Sequence, residues 1–336
     1  MTPIRAIGKY LDQPLLTAKI NKVIPAVLLS GAGFVLHENI ENTPKSEHKK
    51  TAIKSSAVLF VTALSALSAP KIASAMTGRK GAKTLKQIIN YNIKTVDDFL
   101  KNNHVNSNLE KILQKSKTKI LSLKEVNDLF SSKETANIAK KIIPPPDNIK
   151  AKDIFREIGW LSVYGAVPVL GGIAGGILGD KFTHENWRED VPDKIKEGTY
   201  QYLANIFLCN IGAGAALGAL EKLNITSKAA RCLGMIGGIL LTGVIGGSII
   251  ANFIGNKILN PIMKQDKKET RTPELLDLTL HTDDIATVSL LSGLKWIEPS
   301  LPLLYSISGY RAGIGYRNDD KSNNNKSKSV FLHNKC

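Results

Sequence analysis

The chain has 336 residues, 45 Lys and Arg against 29 Asp and Glu, a formal net charge of +16 and 43% hydrophobic residues. Its three cysteines, Cys209, Cys232 and Cys336, exclude a disulfide-framed secreted scaffold, a zinc ribbon and a four-cysteine cluster. The averages suit an ordinary soluble protein, but charge and apolarity occupy different stretches, so position along the chain says more than composition.

Residues 1–77 hold two weak apolar runs. Val23 to Leu36 is uncharged for 14 residues and Ser55 to Pro70 for 16, with apolar character resuming past Lys71 as far as Met76. A helix needs about 20 apolar residues to cross a bilayer. The first run is therefore also the length of an interfacial helix, a buried helix or a signal-peptide core. Cleavage after Gly31 or Ala32 would leave the second run to anchor the chain. Ala73-Ser74-Ala75 has the small-x-small form of a cleavage site but lies too deep for a conventional leader.

Residues 78–150 read as a polar, Lys-rich insert with helical periodicity. Leu85, Ile88, Ile89, Val96, Phe99 and Leu100 recur at spacings that gather them on one helix face, and Leu109, Ile112, Leu113, Leu121, Val126 and Leu129 continue the pattern. Pro144-Pro145-Pro146 ends it. Residues 78–143 carry fourteen Lys and Arg, so attachment to anionic lipids is expected, each basic residue near the surface adding about 1 kcal/mol. Closure of the stripe into a small helical bundle is the competing expectation. Nucleic acid is set aside as a partner, because nine acids lie between 78 and 157 and interleaved aromatics are lacking.

Residues 151–260 form the expected membrane core. Trp160–Gly179, Gly198–Leu220 and Cys232–Asn256 are uncharged for 20, 23 and 25 residues, each long enough to span. The middle run is diluted by Tyr200, Gln201, Tyr202, Asn205 and Asn210. Small residues recur every fourth position in all three: Gly171, Gly175 and Gly179, shadowed by Gly172 and Gly176; Gly214 and Gly218; Gly243, Gly247, Ala251 and Gly255. Such faces let two helix backbones approach closely. Tight helix association is their expected role, and a homo-oligomer is a partner they would suit.

No catalytic, cofactor or metal site is assigned. Gly212-Ala213-Gly214-Ala215-Ala216-Leu217 ends in Leu where a dinucleotide fingerprint needs Gly or Ala. No phosphate loop and no Gly-x-Ser-x-Gly elbow occurs. His184-Glu185 begins like a zinc-protease signature, but Arg188 stands where the second His is required. Cys209 and Cys232 read as small apolar residues within helices.

His37-Glu38 and His184-Glu185 each follow an apolar run. Such a pair is either proton- or cation-responsive at a membrane surface or the polar end of a helix, its imidazole near the last carbonyls; the second reading is favoured. The pairs also mark a faint internal repeat, in which Ile24-Pro25-Ala26-Val27 leads to His37-Glu38-Asn39 and Val167-Pro168-Val169-Leu170 to His184-Glu185-Asn186. Residues 261–317 combine a loop, where His281, Asp283 and Asp284 read as a solvated acidic stretch, with a broken apolar segment at Ile285 to Tyr310. Residues 318–336 read as a disordered tail.

The expected fold is all-α: a multi-pass membrane protein with Gly-rich packed helices and a polar helical insert. With six crossings and the N-terminus inside, the inner segments hold 30 Lys and Arg against 13 outside, which puts both termini on the cytoplasmic side. The insert carries that excess; without it the counts are 13 and 13. A structural or scaffolding role leads, a transporter or channel of repeated helical hairpins is the alternative, and a membrane-associated enzyme comes third. The competing fold is a large soluble helical protein.

Overall fold

The computed structural model describes residues 3–79, 81–144, 151–225, 228–265, 270–273 and 295–316. Among them every regular element is helical, and there is no strand. The helices are α1 (Pro3–Leu11), α2 (Pro14–Glu41), α3 (His48–Thr77), α4 (Leu85–Asn102), α5 (Ser107–Ser116), α6 (Leu123–Ser131) and α7 (Ala136–Ile142). They continue as α8 (Ala151–Phe182), α9 (Trp187–Tyr202), α10 (Leu208–Lys222), α11 (Lys228–Ile239), α12 (Ser248–Ile254), α13 (Asn260–Ile262) and α14 (Leu301–Ile314). Wide π-turns at Leu203–Phe207, Leu240–Gly247 and Gly255–Leu259 join α9 to α10, α11 to α12 and α12 to α13 without a break.

Five helical stretches are long and apolar enough to cross a membrane: Pro14–Glu41, Lys45–Thr77, Phe155–Phe182, Trp187–Lys222 and Ala230–Ile262. They contain the five apolar runs seen in the sequence. Of the sixth stretch, residues 285–294 lie outside the described residues, as do His281, Asp283, Asp284, Pro145, Pro146 and the tail 318–336. From Lys295 the chain makes a short 3-10 turn, Lys295–Ser300, and then enters α14.

The chain divides into two compact units. The first comprises residues 1–25, 81–149 and 289–300. Its helices start where side chains satisfy the free amides of the first turn. Thr84 with Gln87 and Ser122 with Glu125 form reciprocal capping boxes, and Asn106 caps α5. The apolar stripe closes on itself: Val96, Leu113, Val126, Leu129 and Ala139 are wholly buried, with Leu121, Ile138 and Ile143 beside them. Fully burying one such side chain stabilises by roughly 1.5–3 kcal/mol. The N-terminal residues belong to this same body. Gln13 donates to the Leu121 carbonyl at 3.0 Å and accepts from the Leu121 amide at 2.8 Å, mimicking a backbone pair.

The second unit comprises residues 26–80, 150–288 and 301–336, and α8 lies at its centre. α3 runs antiparallel to α8, pairing Lys54 with Gly179, Val58 with Gly175 and Ser65 with Gly171. α14 runs parallel to α8, with Tyr305 against Tyr164 and Gly309 against Pro168 and Gly172. α9 returns antiparallel, with Gly198 against Ile173 and Ile206 against Gly165. Beyond it, α10 pairs antiparallel with the α11–α12 rod through Gly212 and Gly238, and Gly247 and Ala204. On the far side, α2 packs antiparallel to α3: Leu28 meets Ala63 and Ala66, and Asn39 donates to Ser55 at 3.1 Å and to Tyr310 at 2.9 Å.

Several of these contacts are possible only without a side chain. A methyl group on Gly172 would lie 1.7 Å from the Gly309 carbonyl oxygen, and one on Gly176 would lie 2.0 Å from that of Gly313. On the opposite side, Gly171 and Gly175 leave the same lack of room against Ser65 Oγ (1.9 Å) and the Ala57 carbonyl (2.8 Å). These directions also settle where the chain enters the bundle. The start of α2 within this unit, the end of α3, the start of α8 and the start of α14 all lie at one end. The end of α2, the start of α3, the end of α8 and the end of α14 lie at the other.

Candidate functional site

Three groups of charged side chains lie within the second unit, and two of them are built on α9. The first gathers at the end of α8. There the backbone closes a Schellman-type turn: the Glu185 amide reaches back to the Asp180 carbonyl at 3.0 Å, and His184 takes the left-handed φ of 57° that the turn requires. The turn brings Glu185 beside Asp180. Lys54 of α3 bridges the two, 2.8 Å from Asp180 Oδ1 and 2.7 Å from Glu185 Oε2. Lys194 of α9 reaches Asp180 Oδ2 at 2.7 Å, and Lys50 reaches Glu185 Oε1 at 2.7 Å. Asp180 is wholly buried and Lys194 nearly so. Burial alone would raise the Glu185 carboxyl, but the hydrogen bonds from Lys50 and Lys54 outweigh it and hold it down to about 2.

The carboxylates of Asp180, Glu185 and Asp190 lie within 4.8 Å of one another, a spacing at which hard cations are held. Two of the three are already matched to ammonium groups, so the arrangement is an ion-pair collar joining α3, α8 and α9.

The second group lies further along α9. Glu197, wholly buried, accepts from Arg271 Nε at 3.0 Å and stands 3.8 Å from Arg311 Nε of α14. The Arg271 guanidinium stacks over Tyr200 at 4.2 Å, and that of Arg311 over Tyr316 at 4.2 Å. Asn252 holds the Arg271 backbone from both sides, donating to its carbonyl at 2.8 Å and accepting from its amide at 2.9 Å. From Glu197 a ladder of side chains descends at four-residue spacing. Gln201 donates to Glu197 at 2.7 Å, and Asn205 donates to Gln201 at 2.9 Å. Both are buried, as is Asn210, whose Oδ1 has no hydrogen-bond partner among the described residues. Tyr200 and Ser248 tie the ladder's helix to α12 at 3.0 Å.

A third cluster lies at the opposite end of α8. Arg79 pairs with Glu157 at 3.1 Å and covers the Trp160 ring at 3.9 Å, while Trp160 donates to Ser74 at 3.3 Å.

The residues singled out in the sequence fall variously. His184 is exposed in the turn, and Glu185 is held in the collar. His37 and Glu38 do not follow the end of their helix; they lie inside α2, which runs on to Glu41 because nothing before Thr43 breaks it. His37 is exposed and Glu38 half-buried, whereas the neighbouring Asn39 is buried and bonded. The two pairs thus occupy different local settings. Gly171, Gly175 and Gly179 face α3; Gly243 lies against Cys209, and Gly247 against Ala204. Gly214 is buried and Gly218 half-buried, and Gly255 is buried with open space where its side chain would be.

Sequence reasoning passes over Lys54, Asp180, Lys194, Glu197, Arg271 and Arg311. One signal is present: Glu197, Gln201 and Asn205 repeat at i, i+4 and so share a helix face, although in the sequence they resemble mere polar dilution of an apolar run. Compared with known protein families, curated proteins and solved structures, the chain matches none.

The depressed Glu185 carboxyl fixes a sign. A carboxyl held near 2 against an ordinary 4.5 gives stability that is present above about 4.5 and lost as pH falls toward 2. In thermal melts the wild-type midpoint should fall across that window. Glu185→Gln should fall distinctly less, and parallel curves for the two proteins would show that the collar does not form.

Proposed function

We propose that the chain is a multi-pass membrane protein whose second unit is a helix bundle built for tight, permanent association, with a structural or scaffolding role in the bilayer. The observation that carries this reading is α8, which presents glycine to neighbours on two sides at once, Gly171, Gly175 and Gly179 toward α3 and Gly172 and Gly176 toward α14. Lipid tails offer no hydrophobic drive for one helix to leave them for another, so small-residue faces and interhelical polar contacts supply the attraction. The outer surface fits the same setting. Leu170, Leu178, Leu241, Ile245, Ile249 and Phe253 are exposed on the long helices, a surface that in water would be a liability and that a bilayer covers.

The ion-paired ends of α8 bracket a membrane thickness. Glu157 and Asp180 are 23 residues apart, about 35 Å of helix, against a hydrocarbon core of about 30 Å. In that frame α14 is about 21 Å long, too short to cross alone, and it runs with α8.

A second reading, transport of a polar species, is favoured by the Glu197–Gln201–Asn205 ladder alone. Ionisable groups at membrane depth are costly and commonly line a pathway, and π-turns such as Leu203–Phe207 recur at functional sites. Against it, Asn252 and Tyr200 spend their hydrogen bonds holding one segment to another, and Glu197 is matched to arginine rather than open.

Two measurements separate these accounts. Gly247 lies where a side chain would meet the Ala204 Cα at 2.6 Å, so Gly247→Leu should lower the melting temperature in detergent by several degrees, an overpacking cost of about 1–3 kcal/mol. Val244→Leu serves as the control; equal midpoints would mean the glycine face packs against nothing. In liposomes the structural reading predicts no flux of protons, sodium or potassium above that of empty vesicles. Flux that Glu197→Gln abolishes would favour transport instead.

A further inference from the structure

We propose that the first unit is a folded, electrostatic docking module for the headgroups of anionic phospholipids, a reading that rests on the membrane assignment above. The unit's residues hold 17 Lys and Arg against 9 Asp and Glu, a net +8 and so half of the chain's +16, within 106 of the 336 residues. Its apolar stripe is consumed internally, with Leu113, Val126 and Leu129 wholly buried. That stripe is therefore not free to insert into the acyl region; scattered side chains such as Tyr91 and Leu123 stay exposed, and charge is the larger part of what the unit has to offer.

That charge is placed for the purpose. On α4, Ile88, Asn92 and Val96 face the core. Lys86, Lys94 and Lys101 are exposed on the opposite side, as helix periodicity requires. None of the three forms an ion pair among the described residues. Asp98 shares their face, but the neighbouring Asp97 is neutralised by Lys117 at 2.6 Å. Lys140 and Lys141 add two exposed charges at the end of α7.

Topology supplies the partner. The chain passes between the units after residues 25, 80, 149, 288 and 300. The point after 288 lies outside the described residues, and the other four join the same end of the second unit's bundle, the end of α3, the start of α2 within that unit and the starts of α8 and α14. If α3 and α8 cross a bilayer, that end opens on a single leaflet. Seven residues separate Thr77 from Leu85, and eight separate Ile142 from Ala151. At about 3.5 Å per residue, such links span at most about 25–28 Å. A basic body tethered so closely to a leaflet meets anionic headgroups at high effective concentration.

The test uses the full chain in nanodiscs of phosphatidylcholine, with or without phosphatidylglycerol. A polarity-sensitive dye is attached through Asn90→Cys, an exposed position on the lysine face, with Cys232→Ser and Cys336→Ser as background and nitroxide-headgroup lipid as quencher. Docking predicts quenching that appears with phosphatidylglycerol, stays low in phosphatidylcholine alone, and fades as salt shortens the screening length. Replacing the three α4 lysines together (Lys86→Gln, Lys94→Gln, Lys101→Gln) should lower the ratio of docked to undocked module about a hundredfold, three charges at about 1 kcal/mol each. Circular dichroism confirms that the variant is folded. Equal quenching in the two lipids at low salt, or an unchanged triple variant, overturns the proposal while the membrane assignment stands. A chain that does not enter nanodiscs at all overturns both.

Discussion

Backbone-to-backbone approach along α8 is the constraint on which the second unit's arrangement depends. Where Gly172 and Gly176 lie against the Gly309 and Gly313 carbonyls, any side chain would collide with main chain that has no room to yield. Overpacking of this kind is destabilising even in deformable cores, and a carbonyl oxygen deforms less than a rotamer. Because α8 is bare on two sides, α3 and α14 both seat directly on it, and α9 takes a third. The register among the four helices is thereby set: Lys54, Asp180, Lys194 and Gly315 reach the same level, and so do Arg79, Glu157 and Trp160. The ion-paired clusters are a consequence of glycine register as much as a cause of association.

The buried charges then act as discriminators between arrangements. Asp180, Lys194, Glu197 and Arg271 are all at or below 2% exposure, and taking such groups out of water costs several kcal/mol each before pairing returns it. A register slip of one turn would keep many apolar contacts but part Lys194 from Asp180 and Glu197 from Arg271. Unpaired, those charges would cost far more than the slip gains. Glycine faces are permissive about sliding, since one small residue resembles the next. The ion pairs remove that freedom. The two devices are complementary: one provides closeness, the other a single alignment.

The apolar runs that form the long helices are legible in the sequence because length and hydropathy are local properties. So are the apolar spacings within the short helices, such as Leu109, Ile112 and Leu113 of α5 and Val126 and Leu129 of α6. Their fate is not legible, since periodicity does not say whether a face meets lipid or another helix. The role of Gln13 is hidden for a related reason: it lies more than a hundred residues from Leu121, and one Gln in a polar N-terminus looks like any other. Gly309 and Gly313 are obscured because Pro299, Pro302 and Lys295 make their segment read as broken. Arg271 lies outside any regular element and has no pattern of its own. Its partner Glu197 precedes an apolar run that looks merely weakened by polar residues, although the Glu197–Gln201–Asn205 spacing is plain in the sequence. Long-range charge pairing is the part a single sequence conceals, because nothing local records which acid meets which base.

Everything proposed for the bundle depends on its long helices lying in lipid. The most direct measurement is fractionation of membranes from cells producing the full chain, washed with alkaline carbonate, which strips peripheral proteins and leaves integral ones. A bundle of glycine-packed helices with exposed Leu, Ile and Phe on its outer face should stay entirely with the membrane pellet and be released only by detergent. Recovery of the folded chain in the carbonate supernatant would contradict the assignment, and the same helices would then have to be the core of a soluble assembly.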